Sequence, residues 1–106
     1  MNINDMMQQA KAMQEKMKNL QDEIAQIMVE GTSGGGLITV IMKCNKEMVS
    51  INIDPSVIVA TEKEMLEDLV KAAINDAMTK ADDRAAQETK NLMGDMGLPA
   101  GMDLPF

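Results

Sequence analysis

Residues 31–55, GTSGGGLITVIMKCNKEMVSINIDP, decide the fold. They form the core of the only stretch that reads as β-structure, and they lie between two long helical patterns. Leu37 to Cys44 is rich in β-branched and apolar residues. Leu37, Thr39 and Ile41 fall on one alternating face, and Ile38, Val40, Met42 and Cys44 on the other. A strand covered on one side alternates between apolar and polar residues, so apolar residues on both sides imply a cover over each face. Met48 to Ile53 does alternate, with Val49, Ile51 and Ile53 against Ser50 and Asn52. The chain's own helices can cover one face of so small a sheet, and a second copy of the sheet is expected over the other.

Around these strands the punctuation is clear. Met28 to Thr32 reads as a short first strand, and Ser33 with Gly34 to Gly36 as a tight turn tolerant of left-handed backbone. The glycine run is not a phosphate loop, because no Lys-Ser/Thr follows it and it leads into a strand rather than a helix. Asn45 to Glu47 turn the chain into the third strand. Pro55 ends the sheet, and Asp54 before it reads as a turn acid capping local amides.

Upstream, residues 4–28 read as one helix. Met6, Ala10, Met13, Met17, Leu20, Ile24 and Ile27 step by four and three alternately, a heptad seam held for three repeats. Asn4 or Asp5 is expected to cap its start. About 25 residues span ~37 Å, more than a three-stranded sheet can support, so part of this helix should project. Its opposite face holds Lys11, Glu15, Lys18 and Asp22. That face reads either as a solvated surface laced with i,i+4 ion pairs or, with Lys16 and the neighbouring glutamines, as contacts to a phosphate backbone.

Downstream, Ser56 to Ala60 form a connector, and Thr61 with Glu64 reads as a capping box opening the second helix. The apolar stripe there is Met65, Leu66, Leu69, Val70, Ala73, Ile74, Ala77, Met78 and Ala81. Its later half is mostly alanine, so the sheet, the first helix or a partner chain should approach closely. Lys80, Arg84, Gln87 and Asn91 line one edge, with Asp76 and Asp83 as candidate ion partners. The expected organisation is one domain over residues 1–93 and a flexible tail over 94–106, rich in Gly and Pro.

Composition narrows the chemistry. With 106 residues, one Phe, no Tyr or Trp and thirteen Met, the core is small and adaptable, which makes oligomerisation an expected source of buried area. The net charge of −7, taken alone, opposes a nucleic-acid partner. There is no His, which removes histidine-based catalysis and metal sites. Cys44, alone, sits in a strand that should be buried and reads as a small core residue rather than a nucleophile. The acids interleave with lysines on helix faces and start no calcium loop. No catalytic residue, cofactor, metal or small-molecule substrate is therefore expected. MNINDMMQQ lacks the pattern of a signal peptide, and no apolar run approaches the ~20 residues of a membrane span, so a soluble cytoplasmic protein is expected.

In order along the chain, EIAQIMVEGTSGGGLITVIM, INIDPSVI, EMLEDLVKAAINDA and MGLPAGMDLPF closely resemble the bacterial YbaB/EbfC family of nucleoid-associated proteins. The resemblance covers nearly the whole chain. Its most specific parts are Ser33-Gly34-Gly35-Gly36-Leu37, Ile53-Asp54-Pro55-Ser56, Met65-Leu66-Glu67-Asp68-Leu69 and Asn75-Asp76-Ala77. It implies an α+β protomer of order α-β-β-β-α, forming a tweezers-like homodimer through its sheet with long helices projecting. It implies binding to double-stranded DNA in the nucleoid with little sequence preference, altering its conformation and bearing on gene expression. Carried onto this chain, the DNA-contacting helices place the contacts at Lys11, Lys16 and Lys18 in the first helix and at Lys80, Arg84 and Lys90 in the second. Where the family has a Gly-bearing hairpin turn this chain has Lys43-Cys44-Asn45-Lys46, and Asn45 tolerates the left-handed conformation such a turn needs.

Two functional readings follow. One is a non-catalytic dimer that engages the DNA backbone without reading bases, since one Arg and no aromatic platform offer little to read them with. The alternative is an acidic dimeric interaction module gripping a protein partner with its Met-rich helices.

Overall fold

The computed structural model describes residues 2–95, in the order α1 (Ile3–Ala25), β1 (Met28–Ser33), β2 (Ile38–Lys43), β3 (Met48–Ile53) and α2 (Lys63–Asp95). Two short 3-10 turns, Pro55–Val57 and Ala60–Glu62, join β3 to α2. This is the expected α+β order. The tail from 96 to 106 lies outside the described residues, and α2 runs two residues beyond the expected domain boundary at 93.

The strands form one antiparallel sheet in the order β1-β2-β3. Glu30 stands opposite Ile41, which stands opposite Ser50; Thr32, Thr39 and Asn52 form the next row. The face bearing Thr39 and Ile41 is therefore largely polar. On the other face Val29, Gly31 and Ser33 stand beside Met42, Val40 and Ile38, and Ile51 and Ile53 continue these rows on β3. Between Ile41 and Met42 the register shifts, so that Val49 is the extra residue of a bulge.

The turns take their form from particular residues. Gly34, Gly35 and Gly36 all have positive φ, as the sequence led one to expect. In the second hairpin it is Lys46, not Asn45, that adopts the left-handed conformation, at φ 71°. Asn45 instead uses its side-chain oxygen to accept from the Glu47 N–H at 2.8 Å, and Lys46 follows into the αL position. The helix starts also differ from expectation. Asn2, ahead of Asn4 and Asp5, caps α1 by accepting from the Asp5 N–H at 2.8 Å. Thr61 lies inside a 3-10 turn that has no side-chain cap, so the capping box does not form.

α2 crosses the core face of β1 and β2. Ala73, Ala77 and Ala81 are fully buried against Ile38, Val40 and Met42, with Val57 closing the end of the core. The small residues permit a near approach whose lower surface is Gly31. A Cβ there would strike the Ala73 carbonyl oxygen, the Ala77 amide nitrogen and, at 2.6 Å, the Ala77 Cβ. Polar contacts hold the helix in register on β1. The Ser33 hydroxyl donates to the Leu69 carbonyl at 2.6 Å, the Thr32 N–H to Asp76 at 2.9 Å, and Lys80 to the Glu30 carbonyl at 3.0 Å. The Asp76 and Lys80 side chains satisfy backbone groups on the outer edge of β1, which would otherwise be unpaired. β3 has no such cover, and Met48, Val49 and Ile51 on it are exposed.

Candidate nucleic-acid interface

Among the described residues, α1 meets the body only through its C-terminal third. Leu20, Ile24 and Ile27 line a groove of about 340 Å³ with Glu88, Asn91 and Leu92 of α2. The Ile27 carbonyl accepts from the Cys44 N–H at 2.8 Å, fixing the root of the helix to the second hairpin. From there α1 stands out as an arm, and the described chain measures 73 × 22 × 16 Å. No residue of α1 is fully buried, and residues 3–16 are exposed throughout. Long seam residues with nothing to pack on produce this projection, since a sheet of six-residue strands supports only a short length of helix.

The six basic residues expected at a DNA surface fall into two groups. Lys11, Lys16 and Lys18 on the arm and Lys90 near the end of α2 are exposed and form no ion pair with a described side chain. Lys80 and Arg84 are engaged. Lys80 pairs with Asp76 at 3.0 Å as well as reaching the Glu30 carbonyl, and Arg84 pairs with Glu88 at 2.9 Å. Both border a shallow groove with Glu30, Asp83 and Gln87, whose acids oppose a phosphate. Gln87 donates to Asn91 at 3.1 Å, which confirms the polar edge seen in the sequence. The i,i+4 lacing expected along α1 is absent, because none of the ion pairs among the described residues falls on that helix.

Charge is divided along the molecule. Residues 1–18 carry three lysines against two acids, a net +1, so the rest of the chain holds −8 of the total −7. Sequence reasoning passed over Lys46, which ties the second hairpin to α2 through Asp82 at 2.9 Å. Only the three-dimensional path of the hairpin brings these two together. Lys71 was also passed over. It is exposed and borders an apolar surface of Leu66, Val70 and Ile74.

The titrating groups are structural. The Thr32 N–H, then Lys80, hold the Asp76 carboxyl below its ordinary range. The Ser56 N–H and hydroxyl do the same for Asp54, which caps the first 3-10 turn. Burial pushes the Cys44 thiol up, Arg84 partly offsetting it, so the sulfur is a neutral core atom. Among the described residues no three of His, Cys, Asp and Glu gather as metal ligands, and no helix is long and apolar enough to cross a membrane.

These features define a small α+β protein with a projecting helical arm that carries exposed lysines. The chain belongs to the YbaB/EbfC DNA-binding family, whose model matches residues 1–96. It is 50% identical over 101 residues to a nucleoid-associated protein of Bordetella avium (strain 197N), covering 95% of this chain and 93% of that one. The fold is similar to the crystal structure of an uncharacterized protein from Helicobacter pylori, with TM-score 0.63 and 23% identity over 91% of this chain and 97% of the other.

Proposed function

We propose that this protein is a non-enzymatic, nucleoid-associated protein that binds double-stranded DNA through phosphate contacts, largely without sequence preference, and changes its conformation. The observation that carries this reading is the exposed arm of α1, where Lys11, Lys16 and Lys18 form no ion pair with a described acid, in a family of DNA-binding proteins. Lys90 adds to this set. Lys80 and Arg84 contribute less, since each must first leave a carboxylate. One Arg and no exposed aromatic side chain among the described residues leave base reading without means. Such a protein works in the cytoplasm, on the nucleoid.

The working unit is a homodimer, with β3 as its seam. Val49 is 47% and Ile51 43% exposed, and Met48, Ile58, Val59 and Met65 are also open, a patch unsuited to solvent. A second copy placed there covers the patch and the free backbone edge of β3 together, and leaves two arms free to close on a duplex. The family relationship favours this reading over a clamp for a protein partner.

A mobility-shift assay with random duplex DNA tests it. About six phosphate contacts per dimer give an affinity that falls ~10³-fold between 50 and 200 mM salt. K11E/K16E/K18E abolishes the shift while the circular dichroism is unchanged. A shift that persists in this variant, or that ignores salt, overturns the proposal.

A further inference from the structure

The seam of α1 does not stop where α2 stops supporting it. Its lower members, Leu20, Ile24 and Ile27, face α2, but the same stripe continues through a half-buried Met17 to Met13, Ala10, Met6 and Ile3, which are exposed among the described residues. Ile3 is 74%, Met6 57% and Met13 54% exposed. A phosphate backbone has no use for such a stripe. Strict alternation of four and three is the pattern by which one helix receives another that carries the same repeat.

We infer that the free arm of α1 is a self-association surface, occupied by the arm of a second copy running antiparallel. One antiparallel register places Met6 against the partner's Met17 and Ala10 against the partner's Met13, with Ile3 reaching the side of the partner's Leu20 that α2 leaves uncovered. Two-fold symmetry repeats each layer, so six apolar layers close with none left over. In this register Asp5 comes beside the partner's Lys16 on one flank, while Met7 and Gln14 meet on the other without charge conflict. The charge division selects the direction. An antiparallel pair holds the two bodies, each −8 beyond residue 18, at opposite ends, whereas a parallel pair brings them side by side. Opposed helix dipoles favour the same direction.

The pairing also bears on DNA. Lys11 and Lys18 lie outside the seam and on the same flank, seven residues or ~10 Å apart. Two antiparallel arms therefore gather four lysines along one edge, a denser strip than either arm offers alone. Two and a half heptads are marginal in isolation, so the pairing is reversible and responds to concentration.

The test uses the full chain and two readouts. In sedimentation equilibrium of concentrated protein, M6K/M13K lowers the average mass about twofold relative to the unsubstituted chain, with helix content unchanged because both side chains are exposed. In a C44S background, Q9C/K16C forms intermolecular disulfides under mild oxidation, and adding M6K/M13K removes them. The two introduced thiols are too far apart on one helix to bond to each other. A mass insensitive to M6K/M13K, or no disulfide with Q9C/K16C, overturns the inference. M6Q/M13Q unpairs the arms without adding charge and keeps every arm lysine, so a DNA shift retained by that variant separates failure of arm pairing from failure of the DNA reading.

Discussion

Gly31→Ala is the sharpest test of how the helix lies on the sheet. Gly31 is not among the residues with positive φ, so alanine meets no backbone strain there and the whole effect is steric. The added methyl runs into the Ala73 carbonyl oxygen and the Ala77 amide nitrogen, both backbone, as well as the Ala77 Cβ at 2.6 Å. No rotamer can yield, and α2 must lift. Lifting loosens the Ser33–Leu69, Thr32–Asp76 and Lys80–Glu30 hydrogen bonds, worth about 2 kcal/mol together where two are exposed. Overpacking against Val40 and the alanines adds about 1–3 kcal/mol. The lower entropy of the unfolded alanine chain returns about 0.4–1 kcal/mol. A net loss of about 3 kcal/mol remains, a large share of the 5–15 kcal/mol typical of a domain. With a slope of about 1–1.5 kcal/mol per molar, the urea midpoint falls by about 2–3 M. Circular dichroism at fixed protein concentration reads this, since association otherwise shifts the midpoint. G31A/A77G should recover little, because two of the three obstacles are backbone atoms. G35A is the control: nothing lies within 4 Å of Gly35, and only its φ of +69° opposes a side chain, at about 1 kcal/mol. If G31A were as stable as the parent within ~0.5 kcal/mol, α2 would not rest on Gly31.

Two further outcomes concern the seam and the edge of the sheet. Ile51→Glu puts a charge into the apolar patch on β3 and should halve the mass in light scattering at low micromolar concentration, leaving helix content intact; an unchanged dimer would move the seam elsewhere. Asp76→Asn removes the carboxylate that accepts from the Thr32 N–H and pairs with Lys80. Because the folded group titrates below its ordinary value, its contribution is present in full above the ordinary range near pH 4 and lost as pH falls through the lower folded value. The stability gap between parent and D76N should therefore be constant at neutral pH and close on acidification; a gap that widens would refute the assignment.

Much of the fold was legible because single residue types forced it. The glycine run, the alternation of Met48 to Ile53 and Pro55 fixed two hairpins and their end, and the alanine stripe announced a close approach that proves to be to Gly31. The misreadings have a common cause, which is that a strand's neighbours are not written in its own sequence. Thr39 and Ile41 looked half-apolar alone, yet Glu30, Thr32, Ser50 and Asn52 flank them and make that face polar. The Lys80–Asp76 pair was a candidate in the sequence, whereas the pairing of Arg84 with Glu88 rather than Asp83 was hidden. Their acids lie four residues away on the same helix in both directions, and only the Glu30 carbonyl, fifty residues upstream, decides that Lys80 turns to β1. Lys46 took the left-handed position because Asn45 was occupied with the Glu47 amide.

The net charge of −7 need not oppose DNA, because it is held away from the arm to which we assign DNA binding. Lys11 lies fourteen residues before the end of α1, or ~21 Å along the helix axis. At 0.1 M salt the screening length is about 10 Å, so a phosphate at Lys11 senses the arm and little of the body. At 0.01 M the length grows to about 30 Å, and the −8 of the body reaches the whole arm. Counterion release alone makes log affinity rise linearly as log salt falls. For this protein the line should bend over below about 0.03 M, where growing body repulsion offsets the stronger lysine contacts. Neutralising body acids far from the arm, as in E62Q/E64Q/E67Q, should straighten the low-salt limb and leave affinity at 0.15 M unchanged. A plot that is straight from 0.01 to 0.2 M for the parent would mean that the body's charge is not segregated from the DNA, and that the arm is not where the duplex lies.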